Sequence, residues 1–287
     1  MRFQFLKEHQ KKYNIKKACK ILKISRSGYY DYLKRRKSNR AIENEALTEM
    51  IEDIFEKNKG RYGARRIQLI LERQGVKINQ KRVSKLMSAR GLIAKGTRKA
   101  YRKVKKGTPC EEKENILNRV FTANARNKVW VGDITYIYTI EYGWTYLAIV
   151  MDLFDLKVIG YAYDINMTDA LSIQALKQAV KNRSYESGIM FHSDQGSQYI
   201  SNDFEQLLTD LNIRHSYSKK GYPYDNASME SFNSIIKKEE VNHRVYKTFE
   251  EAKLSIFEFI EGWYNTRRIH SSLGYITPLE KMTQYET

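Results

Sequence analysis

Hydrophobic positions follow a helical period through the first third of the chain and fall into short strand-like runs in the second half. Ile15, Ala18, Ile21 and Leu22 share one face of a predicted helix, and Ser25 is placed to cap the next, so 15–30 reads as helix, tight turn, helix. Further helices are expected near 42–58, 63–74 and 79–90, with Gly75 and Gly91 where helix C-termini favour glycine. Beyond residue 125, runs rich in β-branched and aromatic residues near 128–139, 144–152 and 156–164 predict an antiparallel meander with turns at 141–143 and 155–156. A helix near 168–181, a strand at 188–193, a helix near 202–211 and a short strand at 213–217 complete a mixed sheet flanked by helices. A helix carrying Glu230 and a last helix near 249–264 follow. The predicted fold class is therefore α+β: all-helical helix-turn-helix units, then an α/β domain on a five-stranded mixed sheet.

Charge sharpens this division. The 287 residues carry a formal +18, but residues 1–110 hold 32 Lys or Arg against 9 Asp or Glu, a net +23, and residues 111–287 hold 19 against 24, a net −5. A polyanion partner for the first part follows, because each phosphate neutralised by Lys or Arg releases counterions and adds affinity. Residues 34–40, with Arg35 and Arg36 at their centre, read as a linker that touches backbone phosphate. Seven Lys or Arg in 95–106 read as an extended basic linker into the second part. Cys19 and Cys110, with no CxxC spacing, argue against a disulfide scaffold and a structural zinc site. The N-terminus lacks the apolar core of a secretory signal, and no apolar run is long enough to span a bilayer. A cytoplasmic bacterial protein acting on the nucleoid, without a membrane partner, is expected.

The candidate chemistry lies in three carboxylates. Asp133 sits inside the strand run 129–138, Asp194 follows the apolar run 188–193, and Glu230 lies in a predicted helix after the turn 221–224, with Asp225 or Asn226 as its expected N-cap. Ser234 and Lys237 share the Glu230 face at i+4 and i+7. A strand that stops at a turn presents its last side chain at the sheet edge, where open α/β sheets build their sites. Two Mg²⁺ ions about 3.5 to 4 Å apart stabilise the attacking and leaving oxygens of a displacement at phosphorus, and such hard ions require oxygen ligands.

The segments 192–199 (HSDQGSQY) and 221–227 (GYPYDNA), with Glu230 behind them, resemble the catalytic core of the DDE transposases of the insertion sequence 3 family, relatives of retroviral integrases. Asp194 and Glu230 are separated by 35 residues, the spacing these families share, and Lys237 matches a basic position of the family. Further matching stretches are Trp130 to Thr135 around Asp133, Tyr62 to Ile67 upstream and Tyr264 to Gly274 downstream, so the likeness spans nearly the whole chain. It implies a ribonuclease H-like fold with Asp133, Asp194 and Glu230 as catalytic and metal-ligating residues. Two Mg²⁺ ions, with Mn²⁺ substituting, would be held per site, and Lys237 would touch DNA near the scissile phosphate. The implied reaction frees a 3′-OH at an element end and transfers it to another phosphodiester, with neither a covalent protein intermediate nor ATP. Its partners would be double-stranded DNA, at the terminal inverted repeats and at the target, and further copies of this chain, at least a dimer. The resemblance also makes 79–90 the reading helix of a helix-turn-helix, with Lys81, Arg82 and Lys85 toward phosphate or base edges and Val83, Leu86 and Met87 inward. Arg65 and Arg66 join the DNA-binding candidates.

The expected division is 1–40, a basic helix-turn-helix-like segment; 41–94, a second helical DNA-binding unit; 95–124, a basic linker; 125–245, the catalytic core; and 246–287, a C-terminal helical segment. The first segment is either a helix-turn-helix or a basic helical hairpin that packs on the chain or touches only phosphates. It has one histidine, His9, so the zinc module of retroviral integrases is absent. The family's active enzyme is usually a frameshift fusion whose first frame adds a helix-turn-helix and a leucine zipper; no sustained heptad pattern occurs here, and the chain reads as the second frame's product or the catalytic part. Asp152 and Asp155 compete for a metal role, but Asp152 reads as structural. His192 is either a hydrogen-bond support for Asp194 or a packing histidine, and Arg267, Arg268 and His270 either contact DNA or a partner subunit, or cap a helix at the surface. The alternative function is a non-catalytic DNA-binding regulator or inhibitor of transposition. A tyrosine recombinase stands third, because nothing singles out one of the 21 tyrosines.

Overall fold

Six helices occupy the first part of the chain: α1 (Arg2–Glu8), α2 (Ile15–Ile21), α3 (Arg26–Lys34), α4 (Asn39–Lys57), α5 (Ala64–Arg73) and α6 (Gln80–Ala89). The computed structural model describes residues 2–34, 38–96, 114–118, 120–183, 188–219 and 223–286, and these form two units, one running to Ile93 and the other from Ala94. In the first unit Leu6, Cys19 and Tyr29 form a buried cluster with Phe3, Ile15, Ala18, Leu22, Ile24 and Leu33 packed around it. Ile21 departs from expectation and is 79% exposed. The stripe that meets the cluster is 15, 18, 19, 22, at i, i+3, i+4, i+7, and Ile21 falls off it. The expected tight turn is present: Lys23 takes a left-handed φ of 52°, and the Ser25 hydroxyl accepts from Gly28 N at 3.1 Å at the start of α3. Helix α4 begins earlier than predicted, because Ser38 caps it through Ala41 N at 3.2 Å and draws Asn39 and Arg40 out of the expected linker.

Helices α4 to α6 bury Leu47, Ile51, Ile54, Ile67, Leu71, Val83 and Met87; Leu86 is only half-buried. Gly75 and Gly91 end α5 and α6 with φ of 84° and 68°. Each is followed by a backbone bond reaching back across the last turn, Val76 N to Leu71 O and Leu92 N to Met87 O, both 2.9 Å. A side chain at either glycine would strain that left-handed closure.

The second unit is built on β1 (Val129–Thr139), β2 (Gly143–Asp152), β3 (Val158–Asp164), β4 (Met190–Ser193) and β5 (Arg214–Tyr217), in the order β3-β2-β1-β4-β5. The first three form the predicted antiparallel meander, and β4 and β5 run parallel to β1. Helices α7 (Asp169–Asn182) and α8 (Asn202–Asp210) bury Leu171, Leu176, Phe204 and Leu208 against Trp130, Val150, Ile159 and Phe191 on one face of the sheet. On the other face lies α9 (Ala227–Glu239), followed by α10 (Phe249–Phe259), a π-helical turn Ile260–Tyr264 and α11 (Pro278–Glu286). The sequence pattern ran α10 and the π turn together and gave no sign of α1 or α11. No helix of the described residues is long and apolar enough to cross a membrane.

Buried ion pairs fasten this unit. Arg183 pairs with Asp155 at 2.6 Å, while Asp152 accepts from Asn127 N and Phe154 N, each at 3.0 Å, so the two competing aspartates serve the frame. Arg268 pairs with Glu239, the last residue of α9, at 2.8 Å, and the Trp263 indole donates to the same carboxylate at 3.2 Å. Arg268 and His270 are therefore interior residues, not surface contacts, because the π turn folds the segment back under α9; Arg267 is exposed. Removing one partner of a buried pair leaves an uncompensated charge, a loss of about 3–5 kcal/mol, whereas neutralising both costs little. Arg268→Met alone should accordingly lower the melting temperature sharply, and adding Glu239→Gln, which still accepts from Trp263, should restore most of it. Calorimetry that found the double variant less stable than the single would disprove this account.

Candidate active site

Strand β1 outruns its parallel neighbour. Its ladder with β4 extends only from Val129↔Met190 to Val131↔His192, while on its other edge it pairs with β2 as far as Thr139. Two residues past the last parallel pair come Asp133 on β1 and Asp194 just beyond β4, which brings both to the same level at the carboxyl end of β4. Gly132 fits this crossing because a Cβ there would run into the Phe191 ring.

The Asp133 carboxylate is half-buried, accepting from Ile134 N at 2.9 Å and from the Asn233 amide on α9 at 2.7 Å. Its pKa is pushed up to about 7, first by burial and then by the negative charge of Asp194, with Glu230 adding a smaller push and the two hydrogen bonds opposing. Burial also raises the Glu230 carboxyl. Asp194 is exposed and accepts from Gly196 N at 2.9 Å, an Asx turn that ends the strand. Buried Tyr199 stands in the field of both aspartates, and its phenol is held well above the usual range by burial and by their charges.

Helix α9 starts differently from the sequence reading. A 3₁₀ turn, Pro223–Asn226, precedes it, and Asn226 occupies the N-cap position without capping. Its amide donates instead to Gly132 O at 3.2 Å, and its Oδ1 is buried with no hydrogen-bond partner among the described residues. Asp225 accepts from Asn115 Nδ2 at 3.2 Å and Lys219 N at 3.1 Å. Two asparagines, Asn226 and Asn233, thus tie α9 to β1, one at the Gly132 carbonyl and the other at the Asp133 carboxylate itself. Sequence reasoning offered Asn226 only as an N-cap and missed Asn233, whose one signal was its place one turn after Glu230. His192 does not support Asp194: its Nδ1 lies 2.9 Å from Ser216 Oγ, its Nε2 lies 2.8 Å from Asp225 O and 3.0 Å from Ser218 Oγ, and burial lowers its pKa. It is a packing histidine that fixes the turn leading into α9.

The donor set is made of hard oxygens, and the burial and like charge that together lift Asp133 are what a divalent cation would relieve, so these residues fit such an ion. Among the described residues no three His, Cys, Asp or Glu side chains are already gathered into a metal-holding group. Lys237 is half-buried on α9 and makes no hydrogen bond or ion pair among the described residues. In the first unit Lys81 and Lys85 are exposed on α6, but Arg82 turns back to α4, donating to Glu43 Oε1 at 2.8 Å and to Asn44 Oδ1 at 2.7 and 3.0 Å. Arg65 is exposed with one nitrogen on Gln68 Oε1 at 3.0 Å, and Arg66 lies 5.4 Å over the Tyr62 ring. Arg35, Arg36 and most of the 95–106 linker lie outside the described residues.

Residues 42–101 match the HTH-like domain family, and residues 123–223 and 211–278 match two families described as Integrase core domain. A DNA-binding helical module ahead of an integrase-type core defines a polynucleotidyl transferase. The chain is 43% identical over 244 residues to the transposase for insertion sequence element IS904 of Lactococcus lactis, covering 85% of this chain and 96% of that one. It is 37% identical over 284 residues to transposase InsF for insertion sequence IS3A of Escherichia coli, covering 97% of each. Among solved structures, the HTLV-2 integrase catalytic core domain in complex with magnesium superposes with a TM-score of 0.40 at 20% identity, over 54% of this chain and 96% of that one. The chain belongs to the insertion sequence 3 family of DNA transposases.

The raised Asp133 carboxyl has a direction in pH. Its folded pKa of about 7 lies above the ordinary 3.8, so the stability it contributes is present below the ordinary value and lost as pH rises through about 7. In excess chelator, Asp133→Asn should melt a few degrees above the parent at about pH 8, with the gap closing as pH falls toward about 4. A gap that widened in acid would contradict the assigned shift.

Proposed function

We propose that Asp133, Asp194 and Glu230 form the catalytic carboxylate set of this transposase, holding two divalent cations at the phosphodiester that is cut and rejoined. The observation that carries the reading is the register of β1 and β4, which sets Asp133 beside Asp194, together with the Asn233 bond that brings the Glu230 helix onto the same strand. Asp133 and Asp194 would share the first ion, and Asp133 and Glu230 the second. Mg²⁺, or Mn²⁺ in its place, would supply charge stabilisation to the attacking and leaving oxygens. Asn233 holds the Asp133 carboxylate in position, and Gly196 N orients that of Asp194. Lys237, on the same helix as Glu230, would hold a phosphate next to the reacting one.

Recognition of the terminal inverted repeats is assigned to the basic first part, through exposed Lys81, Lys85 and Arg65, with Arg66, Arg35 and Arg36 as further phosphate contacts. Arg82, tied to Glu43 and Asn44, sets the pitch of α6 and contributes charge from there. Pairing two element ends and a target requires at least a dimer of the chain on double-stranded DNA.

Asp194→Asn keeps the side chain's shape and removes the charge that binds a cation, so it should abolish end cleavage and strand transfer while DNA binding stays within about twofold. Substantial Mg²⁺-dependent joining by this variant would sink the carboxylate assignment. Lys237→Ala should slow end processing at least about tenfold, a loss of about 1.4 kcal/mol in transition-state stabilisation. Lys253→Ala should have little effect, since Lys253 is exposed on α10 and pairs with Glu250 at 3.6 Å. Equal effects of the two changes in a single-turnover cleavage assay would remove Lys237 from the site.

A further inference from the structure

Beyond Asp133, the overhanging end of β1 and its partner β2 carry a second feature that the carboxylate site does not use. Tyr136 pairs across the strands with Tyr146, ring centroids 5.6 Å apart, and Tyr138 with Trp144, 5.3 Å apart, both edge to face. The four rings line a groove of about 960 Å³ whose other wall is Lys237, Val241, Asn242, Arg244, Val245 and Tyr246. Tyr138 and Trp144 are 55% and 59% exposed, which is costly for rings of this size without an occupant. The groove starts three residues beyond Asp133 on the same strand, about 10 Å at the usual rise.

We propose that this groove is a stacking site for unpaired bases of the DNA strand engaged at the carboxylates, an assignment that rests on the reading of Asp133, Asp194 and Glu230 given above. Three kinds of observation select a nucleic acid strand over other occupants. The exposed rings are all Tyr or Trp, whose faces stack on any base while their polar tips stay in water. Two cations border the rings: Lys237, and Arg244, which pairs with Glu240 at 2.7 Å and keeps 42% of its side chain exposed, so a phosphate backbone finds charge where its bases find π faces. The rings stand on the face of β1 opposite the Asp133 side chain, but the groove's other wall includes Lys237, one turn beyond the Asn233 that holds Asp133, so α9 links groove and site. Bases drawn out of the duplex near a reacting phosphodiester lose stacking that such a platform replaces.

Trp144 supplies its own reporter, because the other two tryptophans, Trp130 and Trp263, are 0% and 4% exposed. The full chain, in excess chelator and about 0.3 M salt to weaken purely electrostatic binding, is titrated with an oligothymidylate of about eight nucleotides and with an abasic strand of the same phosphate count. Oligothymidylate should quench Trp144 and bind about tenfold more tightly than the abasic strand. Trp144→Leu, read by anisotropy of labelled oligomer, and Tyr138→Leu, read by the retained tryptophan, should each lower affinity for oligothymidylate about tenfold and leave the abasic strand unaffected. Equal binding of the two strands, or loss of both together in the variants, would overturn the proposal. So would a DNA-independent dimer, seen by sedimentation, that Trp144→Leu dissolves, since the groove would then hold a second copy. The chelated assay does not depend on catalysis: an Asp194→Asn variant that still joined DNA would remove the carboxylate reading and leave the stacking result standing.

Discussion

The geometry of this transposase depends on how one helix is fixed to one strand. The helix that carries Glu230 is held at both ends: Asn226 and Asn233 bind it to β1 at the Gly132 carbonyl and the Asp133 carboxylate, and Arg268 and Trp263 grip Glu239 at its far end. Helix propensity alone would leave thirteen residues free to slide or swing, since a short helix has little stability outside its packing. Met229, Phe232 and Ile236 supply the apolar face, but apolar contact has no direction, and the asparagines and the buried ion pair select one rotation of the helix from several that would bury the same area.

That anchoring carries an electrostatic load. Burial and the neighbouring carboxylates raise Asp133, and among the described residues no Lys or Arg answers the charge at Asp133 with a hydrogen bond; the bonds it receives come from a backbone amide and a neutral asparagine. A fixed cation there would pair with the carboxylates permanently and compete with any metal. Neutral amides hold the geometry and leave the charge available, so the strain of like charges is kept at the site while the ion pairs at Asp155 and Glu239 secure the frame at a distance.

Much of this was legible in the sequence, for identifiable reasons. The five strands and their turns stood out because β-branched and aromatic runs were punctuated by turn residues such as Gly143, which takes a left-handed φ, and Asp155. The placement of Asp133 on a strand, Asp194 just past a strand end and Glu230 on a helix could be read ahead because each lies in a run with its own period. The bonds of Asn226 and Asn233 and the inward course of Arg268 could not, because a polar side chain's partner lies about a hundred residues away for the asparagines and twenty-nine for the arginine. Arg82 misled for a related reason: a basic residue on an amphipathic helix reads as a DNA contact, yet Glu43 and Asn44 lie within its reach. Ile21 shows the limit of periodicity in a helix seven residues long, where one misplaced position shifts the whole face.

The asparagine after the π turn has a consequence for how copies of this chain can meet. Asn265 receives Val158 N on its Oδ1 and returns its Nδ2 to Val158 O, both at 2.9 Å, so its amide imitates the peptide group of a neighbouring strand. Val158 opens β3, which is the outer strand of the sheet, and its outward-facing backbone groups would otherwise invite another chain to add on. With that first rung already occupied by the molecule's own side chain, the β3 edge is closed at that point to a strand offered from outside, and any surface that meets another molecule there must do so through side chains, whose chemistry can be selected, rather than through backbone that would accept any strand.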